Sequence, residues 1–236
     1  MVTEALNTVR REIENACARS GRTPSDVCLI AVSKTKPLSM LEEAMAAGQS
    51  DFGENKVQEL CEKAEALSGR GVTWHLIGHL QKNKVRKAVA VASMIHSVDS
   101  IELAAEIQKE AARIGKTQDI LLEINVAQEE SKFGLSTEQA LPAARAIAEM
   151  PNVHLCGLMT VAPYTENPEE NRQYFSALRE LAVDIQAQNI DNIDMSCLSM
   201  GMSNDYTIAI EEGATFVRVG SLIFGERNYG TEKGSI

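Results

Sequence analysis

The sequence lacks the patterns of a disulfide framework, a secretory signal and a cationic binding surface. Its five cysteines are odd in number and scattered, without a Cys-x-x-Cys pair, which indicates neither a disulfide framework nor a structural zinc site. Charged residues interrupt the N-terminal apolar positions, which excludes a signal peptide and favours an amphipathic helix. The net charge of −10 argues against nucleic-acid and anionic-membrane partners. A reducing, cytoplasmic location is therefore expected.

What the sequence does contain is ordinary for a globular protein with a sizeable core. Of its 236 residues, 44% are hydrophobic and 24% charged, a composition that favours neither disorder nor a membrane span. The length suits one α/β barrel better than two average domains. We therefore expect a single domain over residues 1–236.

Short apolar runs rich in β-branched residues predict eight strands. The predicted strands are Val27–Ser33, Ser50–Gly53, Thr73–Gly78, Met94–Val98, Asp119–Val126, Val153–Thr160, Met195–Ser199 and Phe216–Val219. The segments between them have the Ala, Glu, Leu and Lys content of helices. The predicted helices are Leu38–Ala47, Asn55–Leu67, Asn83–Ala92, Ile101–Ile114, Thr137–Glu149, Pro168–Gln188 and Asp205–Glu212. This order favours a (β/α)₈ TIM barrel with an extra N-terminal helix over a doubly wound sheet.

Lys34 follows the first predicted strand, at the mouth where the carboxyl ends of all barrel strands converge. Lysine is depleted in buried strands unless it is paired or used chemically, so one interpretation is a Schiff base with an aldehyde. The other is a lysine that buries its stem and keeps its ammonium group in water. The sequence around Lys34 leaves both interpretations open.

Two Gly/Ser clusters follow the last two predicted strands, where barrels of this class often bind phosphate. They are Ser199–Ser203 and Arg218–Ser221, and glycine in them would let backbone N–H groups approach a dianion. Alternatively, Gly201 and Gly220 serve tight turns. Neither cluster matches a P-loop or a dinucleotide fingerprint, which argues against ATP and NAD. Together with Lys34, the clusters point to pyridoxal 5′-phosphate.

Seven motifs, spread over nearly the whole chain, carry a family resemblance. They are AVSKTKP (31–37), FGENKVQE (52–59), WHLIGHLQKNK (74–84), SKFG (131–134), GLM (157–159), LSMGMSNDY (198–206) and RVGSLIFGER (218–227). The chain resembles the pyridoxal phosphate homeostasis proteins, a family of single-domain barrels similar to the N-terminal domain of alanine racemase. The resemblance implies that this chain binds the same cofactor.

The resemblance also implies roles for individual residues. Lys34 would form the Schiff base with the cofactor aldehyde, and Lys36 would be its unbonded neighbour. Arg218 would face the pyridine nitrogen. The remaining expected cofactor-binding residues are Ser199, Gly201, Ser203, Gly220 and Ser221 for the phosphate, and Asn55 and Met200 for the ring pocket.

Arg218 has consequences for chemistry if it faces that nitrogen. A permanently charged guanidinium disfavours protonation of the nitrogen, because like charges repel, and so makes the ring a weaker electron sink. The alternative is an arginine whose stem packs in the barrel and whose charge joins an ordinary ion pair.

The histidines indicate no metal site. His75 and His79 have the spacing of a metal pair on a helix, but they fall on a predicted strand and loop. His96 and His154 are expected to be lone, structural histidines. No metal is therefore expected.

The leading hypothesis, taken from the resemblance, is a protein that holds pyridoxal 5′-phosphate on Lys34 in vitamin B6 homeostasis, with effects on amino-acid and keto-acid balance. Its expected partners are the cofactor and the apoenzymes that use it, and its expected state is a monomer or weak dimer. The alternative is an amino-acid racemase, which would need a second proton donor on the opposite face of the substrate. None of the four tyrosines, at 164, 174, 206 and 229, occupies an obvious position for that donor. A regulator whose cofactor state changes partner binding is a third possibility.

Overall fold

The apolar runs form eight parallel strands that close into one barrel, with each strand hydrogen-bonded to its neighbours in chain order. The computed structural model describes residues 1–129 and 131–226. The strands are β1 (Cys28–Val32), β2 (Asp51–Glu54), β3 (Thr73–Leu76), β4 (Met94–Val98), β5 (Gln118–Glu123), β6 (Val153–Met159), β7 (Ile193–Met202) and β8 (Phe216–Val219). The predicted TIM barrel is confirmed.

Helices connect the strands on the outside of the barrel. They are α1 (Val2–Arg19), α2 (Leu38–Ala46), α3 (Val57–Ala66), α4 (Val85–Val91), α5 (Ile101–Arg113), α6 (Thr137–Ala148), α7 (Arg172–Gln186), α8 (Tyr206–Glu211) and α9 (Ser221–Phe224). The expected N-terminal helix is α1, whose apolar stripe of Val2, Leu6, Val9 and Ile13 is buried. None of these helices is long and apolar enough to cross a membrane.

The observed helices differ from the predicted ones mainly in where they begin and end. The predicted helix from Pro168 divides into a 3₁₀ turn at Pro168–Asn171 and α7, and α9 was not predicted. Helix α3 begins at Val57, which leaves Asn55 in the loop after β2. The last difference matters because it frees the Asn55 side chain to face the barrel mouth.

The barrel has two distinct cores. A large apolar core fills the space between the sheet and the helices. Inside the barrel the apolar contacts are few, around Met94, Leu121, Cys156 and Met159. The rest of the interior holds buried polar side chains, among them His75, His96, Ser199 and Arg218. Such groups are stable in a core only when they are hydrogen-bonded, and these form the network described below.

Candidate functional site

A cavity of about 410 Å³ opens at the C-terminal mouth of the barrel. Pockets that bind small molecules and cofactors are typically this size and mostly apolar, with a few convergent polar groups. The residues that line it come from six strands and the segments that follow them: Val32, Lys34, Lys36, Asn55, Ile77, Val161, Met202, Ser203, Asn204, Arg218, Gly220, Ser221 and Gly225.

Lys34 reaches this cavity from a tight turn after β1. The Lys36 amide donates to the Ser33 carbonyl at 3.0 Å, which closes the turn around Lys34. Thr35 has a φ of 63°, in the left-handed region that costs a β-branched residue strain. Its amide donates to the Glu59 carboxylate at 2.7 Å, and this bond helps to hold the turn in place. The turn therefore fixes where the Lys34 stem leaves the backbone.

A buried ion pair supports that turn from below. Lys63 Nζ lies 2.7 Å from both the Ser33 carbonyl oxygen and Glu54 Oε1, and the Ser33 hydroxyl donates to the same carboxylate oxygen at 2.7 Å. Burial raises the pKa of Glu54, against the lowering effect of the bonds from Lys63 and Ser33. The pair ties α3 to the end of β1 and so to the start of the Lys34 turn.

The second lysine of the motif is committed elsewhere. Lys36 Nζ donates to the carbonyl oxygens of Gly225 and Glu226, each at 2.9 Å. These contacts join the loop after β1 to the residues after α9 across one side of the cavity. Lys36 thus connects the first and last parts of the barrel through hydrogen bonds.

The backbone around Gly220 approaches the cavity closely. A Cβ at Gly220 would lie 3.2 Å from the Val32 side chain, so glycine lets the chain pass β1 with its amides near the mouth. The Ser203 hydroxyl accepts the Gly220 amide at 3.2 Å and joins the two Gly/Ser loops. The hydroxyls of Ser203 and Ser221, which can each donate a hydrogen bond, line the cavity beside Gly220 and form a small cradle suited to an anion.

Asn55 has a side-chain oxygen that accepts no hydrogen bond from the described residues. Its Oδ1 atom is buried, lines the same mouth and has no hydrogen-bond partner among the described residues. A Cβ at Gly78 would lie 2.5 Å from the Asn55 carbonyl oxygen, so glycine lets the segment after β3 pass close to this loop. A buried acceptor without a partner costs free energy unless a ligand or water satisfies it. Asn55 Oδ1 could therefore accept a hydrogen bond from a ligand in the cavity.

Arg218 is the cation inside the mouth, and it is only 4% exposed. Its two terminal nitrogens donate to the Ser199 hydroxyl at 2.6 Å and to the Thr160 carbonyl oxygen at 2.7 Å. Burial lowers the pKa of Arg218 to about 10, while Glu123 and Asp205 oppose the shift. The guanidinium is therefore charged at neutral pH, held by neutral acceptors.

A chain of hydrogen bonds runs from Arg218 through the barrel interior. Ser199 Oγ lies 2.9 Å from His96 Nδ1, His96 Nε2 lies 2.9 Å from His75 Nδ1, and His75 Nε2 lies 3.1 Å from Asp51 Oδ1. Arginine can only donate, so every bond is satisfied when Ser199 donates to His96, His96 to His75 and His75 to Asp51. Both histidines are then neutral and protonated on Nε2. We call these five residues the interior chain.

The electrostatics agree with this assignment. His96 is fully buried, and desolvation, with His75 and Arg218, holds its pKa well below the usual value. Burial tends to raise the pKa of Asp51, but hydrogen bonds from His75 and Ser50 lower it overall. The interior chain therefore begins at a cation at one mouth and ends at a carboxylate at the other.

Glu123, the last residue of β5, adds a titratable group at the C-terminal mouth of the barrel, the end at which Arg218 lies. It is 8% exposed, and burial, with repulsion from Asp99, raises its pKa to about 7 against the attraction of Arg218. Its charge near neutral pH therefore depends on what else occupies the mouth.

Comparisons with known proteins show the family of this chain. Residues 5–228 match the family model described as "Alanine racemase, N-terminal domain". The pyridoxal phosphate homeostasis protein of Aquifex aeolicus is 46% identical over 226 residues, which cover 96% of this chain and 98% of that one. The Escherichia coli K12 protein of the same name is 38% identical and is covered over 97% of both chains. The chain belongs to the pyridoxal phosphate homeostasis protein family.

Solved structures extend the comparison. PipY of Synechococcus elongatus, solved with PLP bound, is 36% identical to this family member, with a TM-score of 0.84 over 95% of this chain and 100% of that one. Alanine racemase of Clostridium difficile 630 is 12% identical, with a TM-score of 0.76, and this chain covers 57% of it. The second likeness shows a shared barrel fold.

The structure brings six of the predicted residues together around the cavity: Lys34, Asn55, Ser203, Arg218, Gly220 and Ser221. It places the other three elsewhere. Ser199 is fully buried beneath Arg218, and its hydroxyl belongs to the interior chain. The Met200 side chain packs in the outer core, outside the lining of this cavity, and its expected contact with the ring stays a prediction. Gly201 lies against α8, where a Cβ would be 2.6 Å from Ala209 Cβ.

Several mouth residues were not among the predicted cofactor ligands. Met202 and Asn204 line the cavity beside Ser203, within the same motif, and Asn204 Nδ2 donates to the Thr165 carbonyl at 2.9 Å. His75 and His96 were not predicted as partners. Their signal in the sequence is a histidine at an inward position of each of two successive strands.

The tyrosines bear on the racemase alternative. The Tyr164 side chain is exposed, Tyr174 packs against the outer core, and Tyr206 donates to Glu12 on α1. These three positions lie outside the lining of the cavity, and Tyr229 falls outside the described residues. The second proton donor of a two-base racemase is thus not found among the described tyrosines.

Proposed function

We propose that this protein binds pyridoxal 5′-phosphate in the mouth cavity, with Lys34 covalently bonded to it, and serves pyridoxal phosphate homeostasis. The observation that carries the proposal is the convergence of a lysine, an anion cradle and a buried arginine on one cavity. PipY, 36% identical, is a relative solved with PLP bound. When bound, the cofactor supplies an aldehyde that condenses with a lysine amine, releasing water, and a phosphate that anchors it.

The residues present fit this group. The cradle of Ser203, Gly220 and Ser221 offers donors to the phosphate, and the glycine leaves room for close approach. The unpartnered Oδ1 of Asn55 is an acceptor for a donor on the ring or its substituents. These contacts supply the two ends of the cofactor with complementary partners.

Arg218 would set the electronic state of the bound ring. It lines the cavity and is charged at neutral pH, so an N–H donated to the pyridine nitrogen keeps that nitrogen unprotonated. An unprotonated ring is a poorer electron sink, which suits holding the cofactor more than carbanion chemistry. The bonds to Ser199 and Thr160 would hold the guanidinium in place for this contact.

A homeostatic role requires that the cofactor can leave as well as bind. The curated relatives are named for pyridoxal phosphate homeostasis, and the cavity lies open at the barrel mouth. We propose that recipient apoenzymes take the cofactor from this mouth and that the protein acts in the cytoplasm as a monomer or weak dimer. Changes in amino-acid and keto-acid balance would follow from altered cofactor supply.

Borohydride reduction of the purified protein with peptide mapping tests the lysine assignment. We expect the cofactor to be found on Lys34, to be lost in Lys34→Ala and to remain in Lys36→Ala. Circular dichroism would show that both variants fold. An adduct that persists at another lysine in Lys34→Ala would reject the role of Lys34, and no cofactor bound even after its addition would reject the function.

Incubation of the loaded protein with an apoenzyme that needs the cofactor tests delivery. Both this reaction and a control with the same amount of free cofactor contain a phosphatase that destroys free cofactor. We expect apoenzyme activity to recover faster with the loaded protein than in the control. Chiral analysis after incubation with single amino-acid enantiomers tests the racemase alternative. Stoichiometric protection without transfer would contradict delivery, and catalytic racemisation abolished by Lys34→Ala would replace homeostasis with enzyme function.

A further inference from the structure

A second cluster of chemically capable side chains lies at the N-terminal mouth, at the opposite end of the barrel from the cofactor cavity. Asp119 is the second residue of β5, and His154 is the second residue of β6. Asp119 pairs in register with His154, and Cys156 follows two residues along the same strand. The sheet thus brings a carboxylate, an imidazole and a thiol together on neighbouring strands.

The ligand atoms of these residues lie close to the spacing that a metal ion imposes. His154 Nδ1 is 3.0 Å from Asp119 Oδ1 and 3.3 Å from Cys156 Sγ. All three atoms lie within 4.8 Å of one another. Bonds of roughly 2.0 Å to nitrogen and oxygen and 2.3 Å to sulfur, in tetrahedral geometry, place ligand atoms about 3.3 to 3.6 Å apart. Small adjustments within the strands would therefore admit a metal ion.

The same three side chains also have a metal-free arrangement. With a proton on Nδ1, the imidazole donates to Asp119, and the Cys156 thiol donates to the His154 carbonyl oxygen at 3.6 Å. A divalent cation would displace the Nδ1 and thiol protons to solvent, and all three atoms would then donate lone pairs to it.

The structure also gives the cluster access and support. The side chains of His154 and Asp119 are 41% and 46% exposed, whereas Cys156 is buried beneath them. Water can therefore reach a fourth coordination position, while the strands fix the three protein ligands. One thiolate, one imidazole and one carboxylate suit Zn²⁺ better than Mg²⁺ or Ca²⁺, which prefer oxygen ligands.

We propose that Asp119, His154 and Cys156 form a binding site for a divalent cation of the zinc class, with water in the fourth position. His154 is therefore not the lone structural histidine expected from the sequence, because its ring contacts both Asp119 and Cys156. The site is separate from the proposed cofactor cavity, so it can be tested on the protein as purified, with its cofactor content unchanged.

Titration of the protein with Co²⁺ tests the proposal, because cobalt in a tetrahedral thiolate site gives a charge-transfer band in the near ultraviolet and strong visible d–d bands. We expect saturation at one equivalent per chain, displacement by Zn²⁺ and loss of the charge-transfer band in Cys156→Ser. His154→Gln should weaken Co²⁺ affinity at least about tenfold, since even loss of an outer-shell partner commonly costs that much.

Cys61→Ser is the matched control, because Cys61 lies on α3 outside the barrel, and this variant should keep the band unchanged. Asp119→Asn, at a half-exposed position, provides a second variant with little risk to folding and should also weaken binding. Wild-type protein without a charge-transfer band, or a band that survives in Cys156→Ser, would overturn the proposal.

Discussion

The Arg218 guanidinium lies 2.6 Å from the Ser199 hydroxyl, which is buried below it and is not part of the cavity lining. This contact joins the Arg218 cation at the C-terminal mouth to a fully buried histidine, His96. Arg218 therefore depends on the barrel interior for its position.

Replacing Ser199 by alanine should destabilise the protein. Arg218 and His96 would each lose a partner in a site closed to water, and an unsatisfied buried donor or acceptor costs about 1–3 kcal/mol. We expect the free energy of unfolding in urea to fall by at least that amount and pyridoxal phosphate binding to weaken. Ser196→Ala, at an exposed position of the same strand, is the control. Equal stabilities of the two variants would contradict the interior chain.

The neutral state of His96 predicts a pH dependence. Its pKa in the folded protein is lowered, chiefly by desolvation, so the unfolded chain binds a proton more readily below about pH 6.5. The free energy of unfolding should therefore decrease as pH falls below that value, with a contribution of up to about 1.4 kcal/mol per pH unit.

The measurement for His96 is urea unfolding at a series of pH values, compared with His96→Gln. The variant should lose this part of the pH dependence while remaining folded near neutral pH. Parallel curves for the two proteins would show that His96 is not the group responsible.

Glu123 should act in the opposite direction. Its folded pKa of about 7 lies above the ordinary value because of burial, so it stabilises the fold at low pH, and this contribution is lost as pH rises toward 7. Wild-type protein should lose stability relative to Glu123→Gln over that range by a few kcal/mol, at about 1.4 kcal/mol per pH unit. Carbon-13 NMR of labelled glutamate would report the titration directly, and a midpoint near 4.5 would contradict this prediction.

The Lys63–Glu54 ion pair beneath the Lys34 turn predicts that removing both charges destabilises the protein less than removing Lys63 alone. Lys63→Met would leave the Glu54 carboxylate buried without its cation, which typically costs about 3–5 kcal/mol. The double variant Lys63→Met/Glu54→Leu should recover most of this loss, because it removes the stranded charge. Thermal and urea unfolding would measure both, and a double variant no more stable than Lys63→Met would show that the pair's hydrogen bonds to Ser33 dominate.

The sequence predicts more of the barrel than of its interior. Apolar runs show where strands lie, and Lys34 and the Gly/Ser loops follow them at the mouth. Side-chain direction near the end of β7 depends on a register irregularity between Ser199 and Met202. This irregularity places Met200 in the outer core and Met202 at the cavity. The alternation of side chains along an isolated strand does not reveal such an irregularity.

The interior chain could not be predicted for a related reason. His75 and His96 lie on the successive strands β3 and β4, and they meet Ser199 only after the distant strand β7 closes around the same axis. The sequence shows a histidine in each of two strands but not that their ring nitrogens lie 2.9 Å apart. The local sequence pattern thus predicts strands and helices, whereas closure of the barrel determines which polar side chains come into contact.

Closure of the barrel also sets the order in which the protein can assemble. Strand β1 pairs with β8, with Cys28 opposite Phe216, so the closing contacts join residues from nearly opposite ends of the chain. Contacts of such long sequence separation slow folding, because the loop-closure entropy is lost before they form. On the ribosome, the last strand must emerge before the mouth can exist. A nascent chain that lacks β8 should therefore be unable to retain the cofactor.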